Sequence, residues 1–177
     1  DTSPQQALDH YKGTYELPAL DPPEHCNDKA PVEPSVYSDG THTNPNFPRF
    51  ALAGAGLYYP YRSEADQPLQ LNESSYAMAA WTTEGLSLWG AVFGILLSST
   101  RTEIAAALLA ISAPGPVHIA SDSLNFVRMA KAILKDRDFT PPKPWALYPN
   151  GDLWKMFQFH VRNKGEHAVA ASWTKGQ

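Results

Sequence analysis

The sequence predicts an α/β domain, a mixed five-stranded sheet with flanking helices. Three observations carry that prediction. Short runs rich in β-branched and aromatic residues crowd the first half, around Val36–Tyr37, Phe50–Tyr61 and Gly85–Gly94. The period then changes to helical in the Ala- and Leu-rich stretch "SSTRTEIAAALLAISAPG". After it, short strands and helices alternate, giving the order β, β, β, α, β, α, α, β.

The elements follow in chain order. Residues 1–34 hold many Pro and acidic residues ("LPALDPPEHCNDKAPVEP") and read as a leader, either a linker or a strap lying on the domain. The domain itself spans 35–177. Ser35–Ser38 opens it as a strand that ends in Asp39–Gly40, a common turn pair. "FALAGAGLYYPY" (Phe50–Tyr61) reads as a buried strand with small residues where another element packs closely. Residues 62–84 are polar and irregular, with a short element at "YAMAAW", and form a long insertion before the third strand, "GLSLWGAVFG" (Gly85–Gly94). Ser and Thr then cap a helix that runs from Glu103 to Ile111 and stops before Pro114–Gly115. "PVHIAS" (Pro116–Ser121) is a strand. Asp122–Ser123 caps a second helix, with Leu124, Val127, Ala130 and Leu134 near helical spacing. A Pro-rich loop, "DFTPPKPWALYPNG", leads to a third helix, "LWKMFQFHVRNK", which Asp152 is placed to cap. Its Leu153, Trp154, Met156 and Phe157 read as core. "AVAASWTKG", residues 168–176, is the last strand.

Composition narrows the function. The 177 residues carry a net charge of −4, so the chain is not a polycationic nucleic-acid coat, and an acidic metal site or a local basic patch remains open. A single cysteine, Cys26, rules out an internal disulfide and fits a reducing compartment. The longest apolar run, Leu86–Leu97, is too short to span a bilayer, and no charged-then-apolar signal peptide opens the chain. An intracellular location, cytoplasmic or nuclear, and no membrane partner are therefore expected. The start at Asp1 reads as a cut fragment. The six histidines show no tight ligand spacing, and no zinc site is expected.

Three acids stand at special places. Asp39 ends the first strand, Glu103 reads as lying in the first turn of the first helix, and Asp122 sits just past the fourth strand. Ligands of open α/β sheets gather outside the carboxyl ends of strands. If the first and fourth strands are parallel neighbours, Asp39 and Asp122 share an edge, and the helix start brings Glu103 over it. Three carboxylates held together repel one another, and a hard divalent cation such as Mg²⁺ relieves the repulsion. Two such ions about 3.5–4 Å apart activate a water and stabilise a leaving oxygen in phosphodiester cleavage. Taken singly, Asp122 also reads as a helix cap and Glu103 as a helix-dipole partner. The combination, in this order of elements, is harder to obtain from capping.

The blocks "VYSDGT", "SSTRTEIAAALLAI", "HIASDSLNFV" and "GDLWKMFQFHVRNKGEHAVAASWTKG" resemble, in order, those of the ribonuclease H family. They are similar above all to the ribonuclease H domains that follow reverse transcriptases in retroelements. The resemblance covers residues 35–177, interrupted by the insertion and the Pro-rich loop. It implies a ribonuclease H-like fold and endonucleolytic hydrolysis of the RNA strand of RNA–DNA hybrids. By motif position it implies that Asp39, Glu103 and Asp122 are the catalytic acids and bind two Mg²⁺ or Mn²⁺ ions. Gly40 would let substrate approach the backbone. Ser99, Thr100 and Arg101 would read the hybrid's minor groove, where the 2′-OH tells RNA from DNA. Ser123 and Asn125 would serve likewise, with helix capping as the competing role of Ser123. The leader would tether the domain to an upstream reverse transcriptase in the same polyprotein.

The chain also departs from the family. A fourth acid, on a helix after the last strand, and a His after "KG" are expected; Gln177 stands at the latter place, and the sequence given stops before such a helix. Residues 1–177 are thus expected to bind hybrid weakly and cleave it slowly or not at all. Leu124 stands where relatives carry an amide. Residues 136–151 replace the basic handle of some members, leaving Arg128, Lys131, Lys135, Arg137 and Lys143, with Asp136 and Asp138 interrupting, as candidate phosphate contacts. Two rival readings stay open: a ribonuclease H fold without catalysis, binding hybrid nucleic acid or protein, and a nuclease of the same superfamily acting on DNA.

Overall fold

The computed structural model describes residues 20–38, 55–90 and 99–175. Its strands are β1 (Val36–Ser38), β2 (Ala55–Tyr59), β3 (Met78–Trp81), β4 (Leu86–Gly90), β5 (Val117–Ser121) and β6 (Val169–Trp173). Its helices are α1 (Leu71–Tyr76), α2 (Ser99–Ile111), α3 (Leu124–Lys135) and α4 (Gly151–Lys164). The strands form one mixed sheet in the order β3-β4-β2-β1-β5-β6. The β3–β4, β4–β2 and β2–β1 pairs are antiparallel; β1–β5 and β5–β6 are parallel. No helix among the described residues is long and apolar enough to cross a membrane.

The sheet has six strands rather than the five expected. The extra one, β3, lies in the insertion at the short element expected around "YAMAAW", and α1 lies in the same insertion, where no helix was expected. "MAAW" has neither β-branched residues nor apolar–polar alternation, and as an edge strand with its first two residues exposed it buries little. The third predicted strand is observed from Leu86 to Gly90, and its continuation to Gly94 lies outside the described residues. The second is observed as Ala55–Tyr59, with residues 50–54 likewise outside.

The insertion is held by a buried ion pair. Arg62 Nη1 and Nη2 each reach one oxygen of Glu73 at 2.7 Å, in the two-pronged geometry a guanidinium offers a carboxylate. Arg62 also donates to the carbonyls of Gln67 (2.9 Å) and Pro68 (3.0 Å), and its guanidinium lies 4.7 Å from the Tyr59 ring centroid. Glu73 Oε1 accepts the Gln70 N–H at 2.8 Å, closing a capping box at the start of α1. One buried cation therefore ties β2, a turn and α1 together.

Helix α2 is buried from Ile104 to Ile111. A helix that is apolar on all sides belongs inside, and α2 lies between the sheet (β1, β2, β5) and α4, with α3 beside it. Its last carbonyls then have no water to turn to. Lys164, on α4 and 1% exposed, supplies the partners: Nζ donates to Ile111 O (3.0 Å) and Ala113 O (2.6 Å). Burial pushes the Lys164 amine down from 10.5 to about 8, against the pull of nearby Cys26 and Glu73, which favours the charged form.

Helix α3 turns Phe126, Val127, Ala130 and Ile133 inward. The face is rotated from the one expected: Leu124 is 46% exposed, and Leu134 is only partly buried. Phe126 stacks on Trp154 (5.6 Å) and meets Phe157 edge-on (6.0 Å), so Trp154 and Phe157 of α4 are core; Leu153 is buried too, and Met156 only partly. Asp152 does not cap α4. Asn150, in the left-handed region (φ 60°), takes that position, and Gly151 follows where any Cβ would strike the Trp145 carbonyl.

Residues 20–35 run along the domain as a strap. Cys26 N–H donates to Lys164 O and Ala30 N–H to His167 O (both 2.8 Å), and His167 Nε2 donates to Cys26 O (2.6 Å). His118 of β5 donates from Nδ1 to the Pro31 carbonyl and pairs through Nε2 with the Ser172 hydroxyl, each at 2.8 Å. Residues 1–19 lie outside the described residues.

Two outcomes follow from the buried charges. Glu73→Ala should destabilise the protein by about 3–5 kcal/mol, because it strands the buried Arg62 guanidinium, and denaturant titration measures this. The unfolded chain holds the Lys164 proton more tightly than the fold does between about pH 8 and 10.5, so this residue makes stability rise with pH across that window. The stability difference between wild type and Lys164→Met should grow in favour of wild type from pH 8 to 10.5; a flat difference means the amine is not desolvated.

Candidate functional site

Strands β1 and β5 are adjacent, parallel and end at the same level, with Ser38 opposite Ser121. Side chains alternate along a strand, so Val36 and Ser38 share one face with Ile119 and Ser121. That face carries α2. Because α2 begins at Ser99, Glu103 is its fifth residue and opens the second turn, not the first as expected. This depth lets the carboxylate reach the ends of both strands instead of projecting from the helix tip.

Glu103 is 6% exposed. Its Oε2 accepts a hydrogen bond from the Ser121 hydroxyl at 2.7 Å and a second from the Ser38 hydroxyl. The Ser121 oxygen in turn accepts the Ser123 N–H at 3.1 Å, which directs its own proton toward Glu103. A carboxylate that served only the helix dipole would have no need of two strands.

Asp122 follows β5 directly and is exposed. Its backbone is fixed on the β6 side: the Trp173 indole N–H donates to Asp122 O (3.3 Å), and Thr174 N–H donates to Ser121 O (2.9 Å). Trp173 itself remains 52% exposed at this edge. Ser123 is the N-cap of α3, its hydroxyl accepting the Phe126 N–H at 3.3 Å, while Asn125 is exposed one residue into the helix. Asp39 and Gly40 lie outside the described residues, and so does the side chain of Ser99, the first residue of α2.

Thr100 and Arg101 are half-buried in the first turn of α2. Arg101 forms a two-pronged pair with Asp152 (3.1 and 2.8 Å) and approaches Asn150 Oδ1 at 3.4 Å, joining the starts of α2 and α4. The hydrogen bonds from Arg101 hold the Asp152 carboxyl below its usual range, with burial opposing. Of the basic residues, Arg128, Lys131, Lys135, Arg137 and Lys143 are exposed, and Lys143 lies 4.7 Å from the Tyr148 ring centroid.

The side chains near this edge carry oxygens: the Glu103 carboxylate with the Ser38 and Ser121 hydroxyls on it, and the exposed Asp122 carboxylate. That chemistry suits a hard divalent cation. Among the described residues no three His, Cys, Asp or Glu side chains come together as a ligand group. The described part thus offers two carboxylates, and the third expected acid, Asp39, falls outside it.

Ser38, Ser121, Asp152 and Trp173 were not among the candidates drawn from the sequence. A signal for the first two exists: each serine directly precedes an acid, in "YSDG" and "ASDS". Alternate side chains of a strand share a face, so each of these serines falls on the helix side with Val36 and Ile119.

Compared with protein-family models, with curated proteins and with solved structures, the chain gives no match.

Proposed function

We propose that the chain is a ribonuclease H-like domain that hydrolyses the RNA strand of RNA–DNA hybrids with Mg²⁺ or Mn²⁺. The observation that carries this reading is the buried Glu103 carboxylate held at the carboxyl ends of two adjacent parallel strands, with Asp122 directly after one of them. Five strands remain when the edge strand β3 is set aside, and they form a mixed sheet with α2 on it, which supports the fold that the sequence resemblance implies.

Glu103, Asp122 and, from its place in the sequence after Ser38, Asp39 would hold the metal. A divalent cation there supplies Lewis acidity to a water and to the departing 3′ oxygen. Asp122, exposed and anchored through its carbonyl, faces solvent where a phosphodiester can approach. Thr100 and Arg101 present a hydroxyl and a guanidinium beside this edge, groups able to meet a 2′-OH and a phosphate.

Labelled RNA–DNA hybrid, duplex DNA and duplex RNA, each with Mg²⁺, Mn²⁺ or EDTA, test the reading. Metal-dependent cutting of the hybrid alone is expected, slow in Mg²⁺ and faster in Mn²⁺. Glu103→Gln and Asp122→Asn, which keep shape and remove charge, should each lower the rate by about 100-fold or more, equivalent to about 3 kcal/mol of transition-state stabilisation. Equal cutting by the Glu103→Gln variant would sink the assignment. Hybrid bound but never cut, in either metal, favours the non-catalytic module, and cutting of duplex DNA favours a DNA nuclease.

If Arg101 meets a phosphate, it must exchange Asp152 for it. Exposed pairs of this kind contribute up to about 1 kcal/mol, so Asp152→Asn should tighten hybrid binding about fivefold at low salt. The gain should fade as salt rises and vanish in an Arg101→Ala background. A gain that persists without Arg101 would mean that Asp152 repels nucleic acid directly.

A further inference from the structure

We infer that Ser38 and Ser121 are positioning residues that set the affinity of Glu103 for a divalent cation, an inference that rests on the metal-site reading above. Both hydroxyls converge on a single oxygen, Oε2, and they come from two different strands. A carboxylate held at one atom from two directions has its plane defined more tightly than either donor alone would define it. The anchors are themselves fixed. Ser38 and Ser121 are register partners in a parallel ladder, and the Ser123 N–H occupies the Ser121 oxygen so that its proton points to Glu103.

The choice of side chain matters as well. Acids at these two places would add charge behind the ligand, and apolar residues would take two donors from a buried carboxylate oxygen. A hydroxyl satisfies the oxygen while adding no charge. Hydrogen-bonded partners behind a metal ligand typically change affinity by about 10–100-fold when removed. The rival account is that the serines only satisfy a buried polar group, with no effect on a cation.

Calorimetric titration of the 177-residue chain with MnCl₂ separates the two, with circular dichroism and melting of each metal-free variant as the folding control. Ser38→Ala and Ser121→Ala should each weaken Mn²⁺ binding about 10-fold, and the double variant about 100-fold. The Ser38→Thr/Ser121→Thr pair, which keeps both hydroxyls, should bind within about threefold of wild type. Glu103→Gln should abolish the response while keeping the fold. Alanine variants that are folded and bind Mn²⁺ like wild type overturn the positioning role alone, provided that Glu103→Gln still abolishes binding. A threonine pair no better than the alanine pair overturns it too. A wild type with no Mn²⁺ response, or one matched by Glu103→Gln, overturns the metal site and the positioning role together. Should the double alanine variant fail to fold, the single variants and the threonine pair decide.

Discussion

Helix α2 is dry from Ile104 to Ile111, and the rest of the structure is arranged around the needs of that buried rod. A helix in water solvates its own ends; a buried one has to be given partners. At the carboxyl end Lys164 reaches in from α4 to the carbonyls of Ile111 and Ala113. Near the amino end stands Glu103. The amine loses much of its hydration to serve this role, which is why its proton is held less tightly than usual. Because Lys164 also receives the strap through its own carbonyl, the chain from strap to α4 to α2 to the β1–β5 edge is continuous. Stability of the core and the level of Glu103 at the edge are thus set by one element.

Where local chemistry and tertiary role agree, the fold is legible in the sequence. The Ala–Leu run of α2 has strong helix propensity and no polar face, and both properties point to a buried helix. "VHIAS" reads as a strand because β5 is buried along its whole length. Legibility fails where the role is tertiary only. "YAMAAW" reads as a short element without a definite type, since only its aromatics favour a strand; β4 makes Met78–Trp81 one by offering an open edge. Asp152 has the composition of a cap, yet it lies one residue inside α4, with Asn150 at the cap, and pairs with Arg101, 51 residues away. In α3, helical spacing alone does not say which of several overlapping apolar stripes faces inward, and the aromatic pair Phe126–Trp154 decides it.

The candidate site divides the same way. Glu103 and Asp122 stand out because acids beside apolar runs are conspicuous, and their elements prove to be neighbours. The hydroxyls behind Glu103 are silent in one dimension, since serine at a strand end has many uses. Register gives them meaning: only when Ser38 stands opposite Ser121 do two ordinary side chains become one two-point anchor. Arg62 makes the same point in the insertion, where a cation in a polar stretch turns out to be the buried centre that organises it.

The anchor around Glu103 is unequal in sequence distance. Its contact with Ser121 closes a separation of 18 residues, and its contact with Ser38 one of 65. Short loops close at lower entropic cost, so the contact of α2 with β5 costs less chain entropy to close than its contact with β1. During synthesis from the amino end, β1 emerges first yet must wait until residue 121 has left the ribosome before its parallel partner exists. Until then it has only the antiparallel ladder with β2. The β1–β5 edge therefore closes only once β5 has been made, and nascent chains lacking β5 hold Glu103 without its full anchor.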